Sequence, residues 1–510
     1  MKSDPVWTAE CARKIDKLSI ETYKISQSEL MERAGTAVAN VAASSPQRKS
    51  FLVLAGTGNN GGDALVAARV LAANPNHQVI TVRVGKTPVR IPEGIRFDCI
   101  IDGIFGIGFR GPLDPTSPAA QLLQDAAQIR VRDGAIVIAV DLPSGLDCDN
   151  SGQTETVLSA DETVTFGGMK AVHAVAPGRD LCGKVHCVDI GFSNAAVEEA
   201  LSASAAIFSV VRGQELIADN PWSRLGPSAH KYTRGHILVA GGSTGKTGAP
   251  VLTAMASLRS GAGWATISTP TRITSSVNTP PDLTCEPLWA NGRGATGLDA
   301  KKLEAFIHGR KVRAVVVGPG TMENPLNIKS LSVLCDFSND GFVVIDAAAL
   351  HGILELLRKS QKQFRLGRVI LTPHPGEWKL LSTGQGSKRW PAPLNSDAVM
   401  AVERECADVG LHIVYKHSTP VLCGPLAFDL DGARSARALV FNEGTNAMGR
   451  AGTGDVLAGC IAAHGAIGCD AAMATMRALA VVSSAARLAA NQVGQHAVLA
   501  SDIIAMLGKV

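Results

Sequence analysis

The sequence predicts a two-domain α/β protein built on parallel sheets, and three observations carry that expectation. Strand-length runs of Val, Ile and Leu alternate with Ala-rich helical segments along the chain. Glycine loops directly follow several of those runs, as in LVLAGTGNNGGD, LVAGGSTGKTGAP and VVVGPG. A length of 510 residues also exceeds what one hydrophobic core organises.

The elements follow in order. Residues 10–43 are helical in pattern, with Leu30, Met31, Ala34, Val38 and Val41 near one face. FLVLA (51–55), the loop GTGNNGGD and the run ALVAARVLA then form a strand, loop, helix unit. VITVRVG, FDCIIDGIFG, AIVIAVDLPSG, TVTFGGMK and VHCVDIGF continue as strands, with AAQLLQDAAQIR as a helix between two of them. The polar, Pro-containing stretch ADNPWSRLGPSAHKYTRG marks a boundary near residue 215. A second series follows: HILVAGG, the helix VLTAMASLRSGAG, then AVVVGPG, FVVIDAAAL, RVILTPHPGE and IVYKHSTPV. It ends in the loop and helix GRAGTGDVLAGC at 449–460.

Composition narrows the function. The 49 basic and 45 acidic residues leave a net charge of +4, too even for nucleic-acid binding by charge alone. The N-terminus has no apolar stretch of the secretory kind. AAMATMRALAVVSSAARLAA is interrupted by Arg477 and Arg487, so it reads as a buried helix rather than a membrane span. Eleven cysteines without CxxC spacing suggest reduced thiols and a cytoplasmic location. Cys182, His186 and Cys187 lie close together, but no second cluster completes a zinc site.

The GTGD loop is the strongest chemical signal. Gly449, Gly452 and Gly454 precede an apolar helix and so offer backbone N–H groups to an anion such as phosphate. Asp455, next in the chain, is placed to take a proton from a substrate hydroxyl, although an N-capping Asp after a glycine turn looks the same in sequence. Gly318-Pro319-Gly320, the TPHPGE loop and the Lys416 loop stand at other strand ends of that domain, where ligands of open parallel sheets gather.

Two competing motifs are weaker. GTGNNG fits GxGxxG at Gly56, Gly58 and Gly61, yet the next strand ends without the acidic residue that holds a ribose. AGGSTGKT at 240–247 resembles a phosphate-binding P-loop, but Ala240 replaces its first glycine. In the first domain Asp63, Asp102, Asp141, Ser144 and Lys170 all follow apolar strands or glycine loops. Asp141 is the best acid/base candidate, on the expectation that an apolar setting raises its pKa toward neutrality. The competing reading is an Asx-type turn before Pro143.

Taken together, the motifs resemble the bifunctional NAD(P)H-hydrate repair enzymes of bacteria. Residues 1–212 are similar to the epimerase domain through LMERAG, GNNGGD, DGIFGIGFRGP, DLPSG and TFGGMK. After a linker at 213–220, residues 221–510 resemble the ADP/ATP-dependent dehydratase domain through AGG(x)5GAP, GPG, TPHPGE, Lys416 and AGTGD. The resemblance implies a Rossmann-like three-layer αβα domain followed by a ribokinase-like αβα domain.

It implies specific residues too. Asn59, Asn60, Gly61, Gly62, Asp63, Gly106, Ile107, Gly108, Phe109, Arg110, Gly111, Pro112 and Asp141 would contact the hydrated dinucleotide in the epimerase. Asn60, Asp102 and Ser144 would bind a potassium ion, for which their hard oxygens are suited. Ala249, Gly320, His374 and Asp455 would line the dehydratase substrate pocket. Lys416, His417, Ser418, Thr419, Pro420 and Gly454 would hold ADP or ATP, with Mg2+. Asp455 and Asp141 would be catalytic. The implied partners are NADHX, NADPHX and ADP in a homo-oligomer, with no nucleic acid and no membrane. Ala64, Ala348 and His417 depart from the family pattern.

Overall fold

A computed structural model of the protein describes residues 3–85, 89–149, 156–202, 206–270, 273, 277–290, 297–381, 406, 410–429 and 435–510. Two sheets organise them. The first strand, β1 (Ser3–Pro5), joins the larger sheet. The smaller sheet consists of β2 (Ser50–Ala55), β3 (Gln78–Arg83), β4 (Cys99–Gly103), β5 (Ile136–Val140), β6 (Glu162–Phe166) and β7 (Lys184–Val188). Its order is β3-β2-β4-β5-β6-β7, parallel throughout.

The larger sheet adds β8 (Ala206–Val211), β9 (His236–Ala240), β10 (Trp264–Ser268), β11 (Thr284–Cys285) and β12 (Val312–Val317). It continues with β13 (Phe342–Ile345), β14 (Val369–Leu371), β15 (His412–Tyr415), β16 (Val421–Asp429) and β17 (Ser435–Val440). The order is β1-β8-β17-β16-β15-β14-β13-β12-β9-β10-β11, parallel from β15 to β11.

The unbroken apolar runs have a simple cause, since helices cover both faces of each sheet. In β2, Phe51, Val53 and Ala55 pack with Leu30, Val38 and Ala67, while Leu52 and Leu54 pack with Leu122 and Ala126 on the other face. In β9, Ile237 and Val239 meet Val456 and Ile461, and Leu238 and Ala240 meet Leu303 and Leu331. Among the described residues no helix is long and apolar enough to cross a membrane. The helix Ala471–Val493 instead buries Met476, Leu479 and Val482 in the core of the larger sheet.

Chain order reverses between β2 and β4 in one sheet and between β9 and β12 in the other. Such switch points open a crevice at the carboxyl ends of strands. The glycine loops noted in the sequence stand at both.

The residues expected as a linker, 213–220, contain the helix Gly213–Ala218, which packs on Ala471–Val493. β8, just before it, already lies in the larger sheet, between β1 and β17. Phe208 and Val210 enter one core of that sheet and Val211 the other, and β8 covers what would be an open edge of β17.

Candidate active sites

The first crevice is a cavity of about 790 Å3 at the ends of β2, β4 and β5. The helix Asn59–Ala72 starts inside the GTGNNGGD loop. Gly61 is required there, because a Cβ would run into the Gly56 carbonyl. Asn59, Asn60, Asp63, Gly106, Ile107, Gly108, Phe109, Arg110 and Asp141 line the cavity. Gly62 packs under the methionine side chain of Met31, and neither it nor Gly61, Gly111 or Pro112 is part of the lining. Ala64 is buried, its methyl facing Gly103.

Asp141 sits one residue past β5 with φ +63°, a left-handed conformation that costs a non-glycine residue roughly 1 kcal/mol. Its carboxylate reaches across β6: Lys170 Nζ donates to Asp141 Oδ1 at 2.8 Å, and Thr165 Oγ1 donates to the same oxygen at 2.8 Å. His173 braces the pair from behind. Its Nδ1 accepts from the Lys170 N–H at 3.0 Å, so Nε2 carries the proton and donates to the Asp141 carbonyl at 2.8 Å. Burial pushes His173 down to about 4, with the Lys170 charge acting in the same direction, so the ring is neutral.

The expectation that Asp141 is raised toward neutrality is corrected here. Burial does raise it, but the Lys170 charge and the hydrogen bonds from Lys170 and Thr165 outweigh burial, and the carboxyl lies below its usual range. The group raised instead is Asp63, pushed up to about 8 by burial, then by the charges of Asp141 and Asp16. The Asx-turn alternative for Asp141 also fails, because its carboxylate bonds Lys170 and Thr165 rather than its own turn.

Asp102 and Ser144 meet beneath the cavity. Ser144 Oγ donates to Asp102 Oδ1 at 2.6 Å, Ser144 N donates to Oδ2 at 2.8 Å, and Ile104 N donates to Oδ1 at 3.3 Å. Asp102 is fully buried, and burial raises its pKa. Asn60 Nδ2 donates to the Phe105 carbonyl at 2.8 Å, and Phe105 N donates to Ser144 Oγ at 2.9 Å. One loop therefore ties the three expected ion ligands together. Cys182 donates to the Val172 and Gly178 carbonyls, and His186 bonds Glu162. No group of three or more His, Cys, Asp or Glu suited to a metal occurs among the described residues.

The second crevice gathers Lys416 at the end of β15, Asp346 after β13 and the TPHPGE loop after β14. Lys416 Nζ lies 2.6 Å from Asp346 Oδ1 and 4.0 Å from Glu377 Oε2, and Thr372 Oγ1 donates to Asp346 Oδ1 at 2.6 Å. Burial lowers the Lys416 pKa, but Asp346 and Glu377 more than offset it and hold the ammonium charged. The helix Thr453–Ala466 begins at the GTGD loop, after Gly452 with φ +91°. A Cβ on Gly454 would come within 3.5 Å of Lys416 Nζ. First-turn N–H groups of a helix have no partner within it, and Thr453 Oγ1 beside them is buried with no partner among the described residues.

Asp455 is pushed up to about 7, first by burial and then by Asp346, with Lys416 pulling the other way. Ala249 and Gly320 are adjacent, since a Cβ on Gly320 would lie 2.8 Å from that of Ala249. His374 Nδ1 accepts from Gly376 N at 2.9 Å, and its Nε2 lies 3.4 Å from Glu377 Oε1. His417 stacks on Tyr415 at 6.1 Å and bonds Ser418, so its ring is turned along β15. Thr419 is buried and Pro420 O accepts from Phe441 N. The P-loop alternative has no support in the geometry: the helix Gly248–Arg259 starts only after Thr247, and Asp346 pairs with Lys416 rather than Lys246.

Asp346, Glu377, Thr165 and His173 were not expected as site residues. FVVID and TPHPGE carried a signal for the first two; nothing in the sequence marks His173.

The chain is similar to known proteins along both of its halves. A family model for NAD(P)H-hydrate dehydratase matches residues 237–509, and one for the YjeF-related protein N-terminus matches 27–93 and 86–172. The bifunctional NAD(P)H-hydrate repair enzyme of Archaeoglobus fulgidus is 32% identical, covering 87% of this chain and 85% of that protein. The one from Pyrobaculum aerophilum is 31% identical over 94% of this chain and 93% of its own length. That of Escherichia coli is 27% identical over 100% and 96%. A solved ribokinase-like superfamily protein from Enterococcus faecalis aligns with a TM-score of 0.43 at 19% identity, covering 59% of this chain and 94% of that one. By its motifs, its two crevices and these relatives, the chain belongs to the family of bifunctional NAD(P)H-hydrate repair enzymes.

Proposed function

We propose that the first crevice interconverts the R and S forms of hydrated NADH and NADPH, and that the second dehydrates the S form at the expense of ADP. The observation that carries this reading is Asp455, a half-buried carboxylate at about 7 on a helix N-terminus beside Lys416. A base of that strength is half ionised at neutral pH and suited to a hydroxyl proton. Asp455 takes the proton of the added hydroxyl, whose oxygen attacks the terminal phosphorus of ADP as the bond to AMP breaks. The first-turn N–H groups and Thr453 Oγ1 stabilise charge on the transferred group. Phosphate then leaves with that oxygen, and loss of a proton from the neighbouring carbon restores the dihydronicotinamide ring. Mg2+ would accompany the nucleotide, and the Asp346 and Glu377 carboxylates would offer it hard oxygen donors of the kind it takes.

In the first crevice two carboxylates have opposite tunings, the arrangement expected of an acid and a base. Asp141, held ionised by Lys170, takes the hydroxyl proton as the ring C–N bond opens. Asp63, protonated below about 8, gives one to the departing nitrogen. Reclosure on the other face inverts the carbon. A potassium ion fits the donors beneath: Asp102 has no cationic partner among the described residues, and Ser144 Oγ keeps one lone pair after bonding Asp102 and Phe105. Bound there, it would balance the Asp102 charge and hold the Asn60 loop in place.

The test incubates the protein with separately prepared R and S hydrates plus ADP. NADH absorbance should return from both, at once from S and after exchange from R. Nucleotide consumption without returning absorbance would instead indicate a small-molecule kinase, and an R form left untouched would reduce the first domain to a binding module.

A further inference from the structure

One piece of backbone reaches from Asp141 in the first crevice to the Lys416 loop of the second. Lys170 and His173 stand on one short helical turn, Ala171–Ala174, held by the His173 N to Lys170 O and Val175 N to Ala171 O bonds. That turn straddles the sheets. Val172 packs with Leu142, Leu146 and Ala9 on the Asp141 side, whereas Ala171, Ala174 and Val175 pack into the core of the larger sheet with Phe208, Tyr415 and Val421.

Immediately after the turn, the buried Ala176 N–H donates to Thr419 Oγ1 at 3.2 Å. Thr419 is 1% exposed and belongs to the 416–420 loop assigned above to the adenine nucleotide. Asp180, on the next short helix (Gly178–Cys182), is near enough to bear on the His417 imidazole of the same loop. From the other side, Trp7 N donates to Met169 O at 2.7 Å, and the Lys170 ammonium stands 5.9 Å from the Trp7 ring. Trp7 follows β1, itself an edge strand of the larger sheet. Lys170 is therefore held between two attachments to the second sheet.

We propose that Thr419 is a positioning residue for the epimerase, fixing the Lys170–His173 turn behind Asp141, so that nucleotide in the second crevice promotes exchange in the first. The proposal rests on the assignment of both crevices given above. A nucleotide that orders the 416–420 loop holds the Thr419 hydroxyl where the Ala176 N–H meets it. That steadies Lys170 and His173, the two donors to Asp141 that lie within six residues of Ala176.

The experiment follows R-to-S exchange by chromatography in the full chain without ADP, using AMP as a probe that fills the loop but carries no transferable phosphoryl group. In the wild type, saturating AMP should raise kcat for exchange by about fivefold, which corresponds to about 1 kcal/mol off the barrier, with KM little changed. Thr419→Val should lower kcat without AMP and abolish the response, while Thr419→Ser, which keeps the hydroxyl, should restore both. Exchange in the wild type that is indifferent to AMP overturns the proposal whether or not the valine variant folds. So does a folded Thr419→Val protein with wild-type kcat and response. Absence of any exchange in the wild type would instead refute the epimerase assignment on which the proposal rests.

Discussion

Each crevice contains an aspartate after a strand or glycine loop and a lysine close by, buried in the first and half-buried in the second, yet the two aspartates are tuned in opposite directions. In the first, Lys170 bonds Asp141 directly at 2.8 Å, and the ion pair more than cancels burial. In the second, Lys416 is bonded at 2.6 Å to Asp346, and Asp455 is left with burial and a like charge, which together outweigh the lysine. The side chain to which a lysine is bonded, rather than its mere presence, decides whether a neighbouring carboxylate is a permanent anion or a group that titrates near neutrality. In the proposed reactions the first serves a step whose acid, Asp63, is supplied separately, and the second lets one residue change protonation during turnover.

The comparison is tested most severely by removing each carboxylate. Asp455→Asn should cost the dehydration about 100- to 10,000-fold, the usual contribution of a general base, and leave R/S exchange intact. Asp141→Asn should do the reverse, and assays of both activities on each variant read the result. If either substitution removed both activities without unfolding the chain, the two crevices would not be separate centres.

Exchanging the lysines should sharpen the contrast through pH profiles. Lys170→Met removes the main opposition to burial at Asp141 and leaves the Thr165 hydrogen bond, so kcat/KM for exchange should acquire an ascending limb that the wild type lacks at neutral pH. Lys416→Met removes the one charge that lowers Asp455, so the dehydratase limb should move above about 7. A downward move of either limb would reverse the assigned causes.

In the wild type the two profiles should already diverge. Dehydration needs ionised Asp455 and should rise as pH passes about 7. Exchange needs protonated Asp63 and should fall as pH passes about 8, a limb that Asp63→Asn should eliminate together with much of the rate. The smallest effect concerns potassium: replacing it with a larger monovalent cation should slow exchange more than dehydration, and equal sensitivity would argue against the Asp102 site.

The fold class and the crevices were legible because they are written locally. Apolar runs with helices on both faces must be buried strands, and glycines such as Gly61 and Gly452 stand where a Cβ or a negative φ would not fit. Asp455 and Asp141 could be picked out by the same logic. The direction of Asp141 could not, because it depends on Lys170, 29 residues later, folding back across β6. His173 was invisible for the same reason. The place of β1 and β8 in the second sheet was hidden as well: three residues at the start of the chain carry too little pattern to announce which edge they cover.

The account stands or falls on two carboxylates doing two separable steps. The direct measurement supplies purified R hydrate with ADP to the wild type, to Asp141→Asn and to Asp455→Asn, and follows NADH absorbance and the R/S ratio together. The wild type should restore the absorbance; Asp141→Asn should leave R unchanged while still repairing S; Asp455→Asn should convert R to the mixture and restore nothing. Return of absorbance from R in the Asp141→Asn variant at the wild-type rate would contradict it.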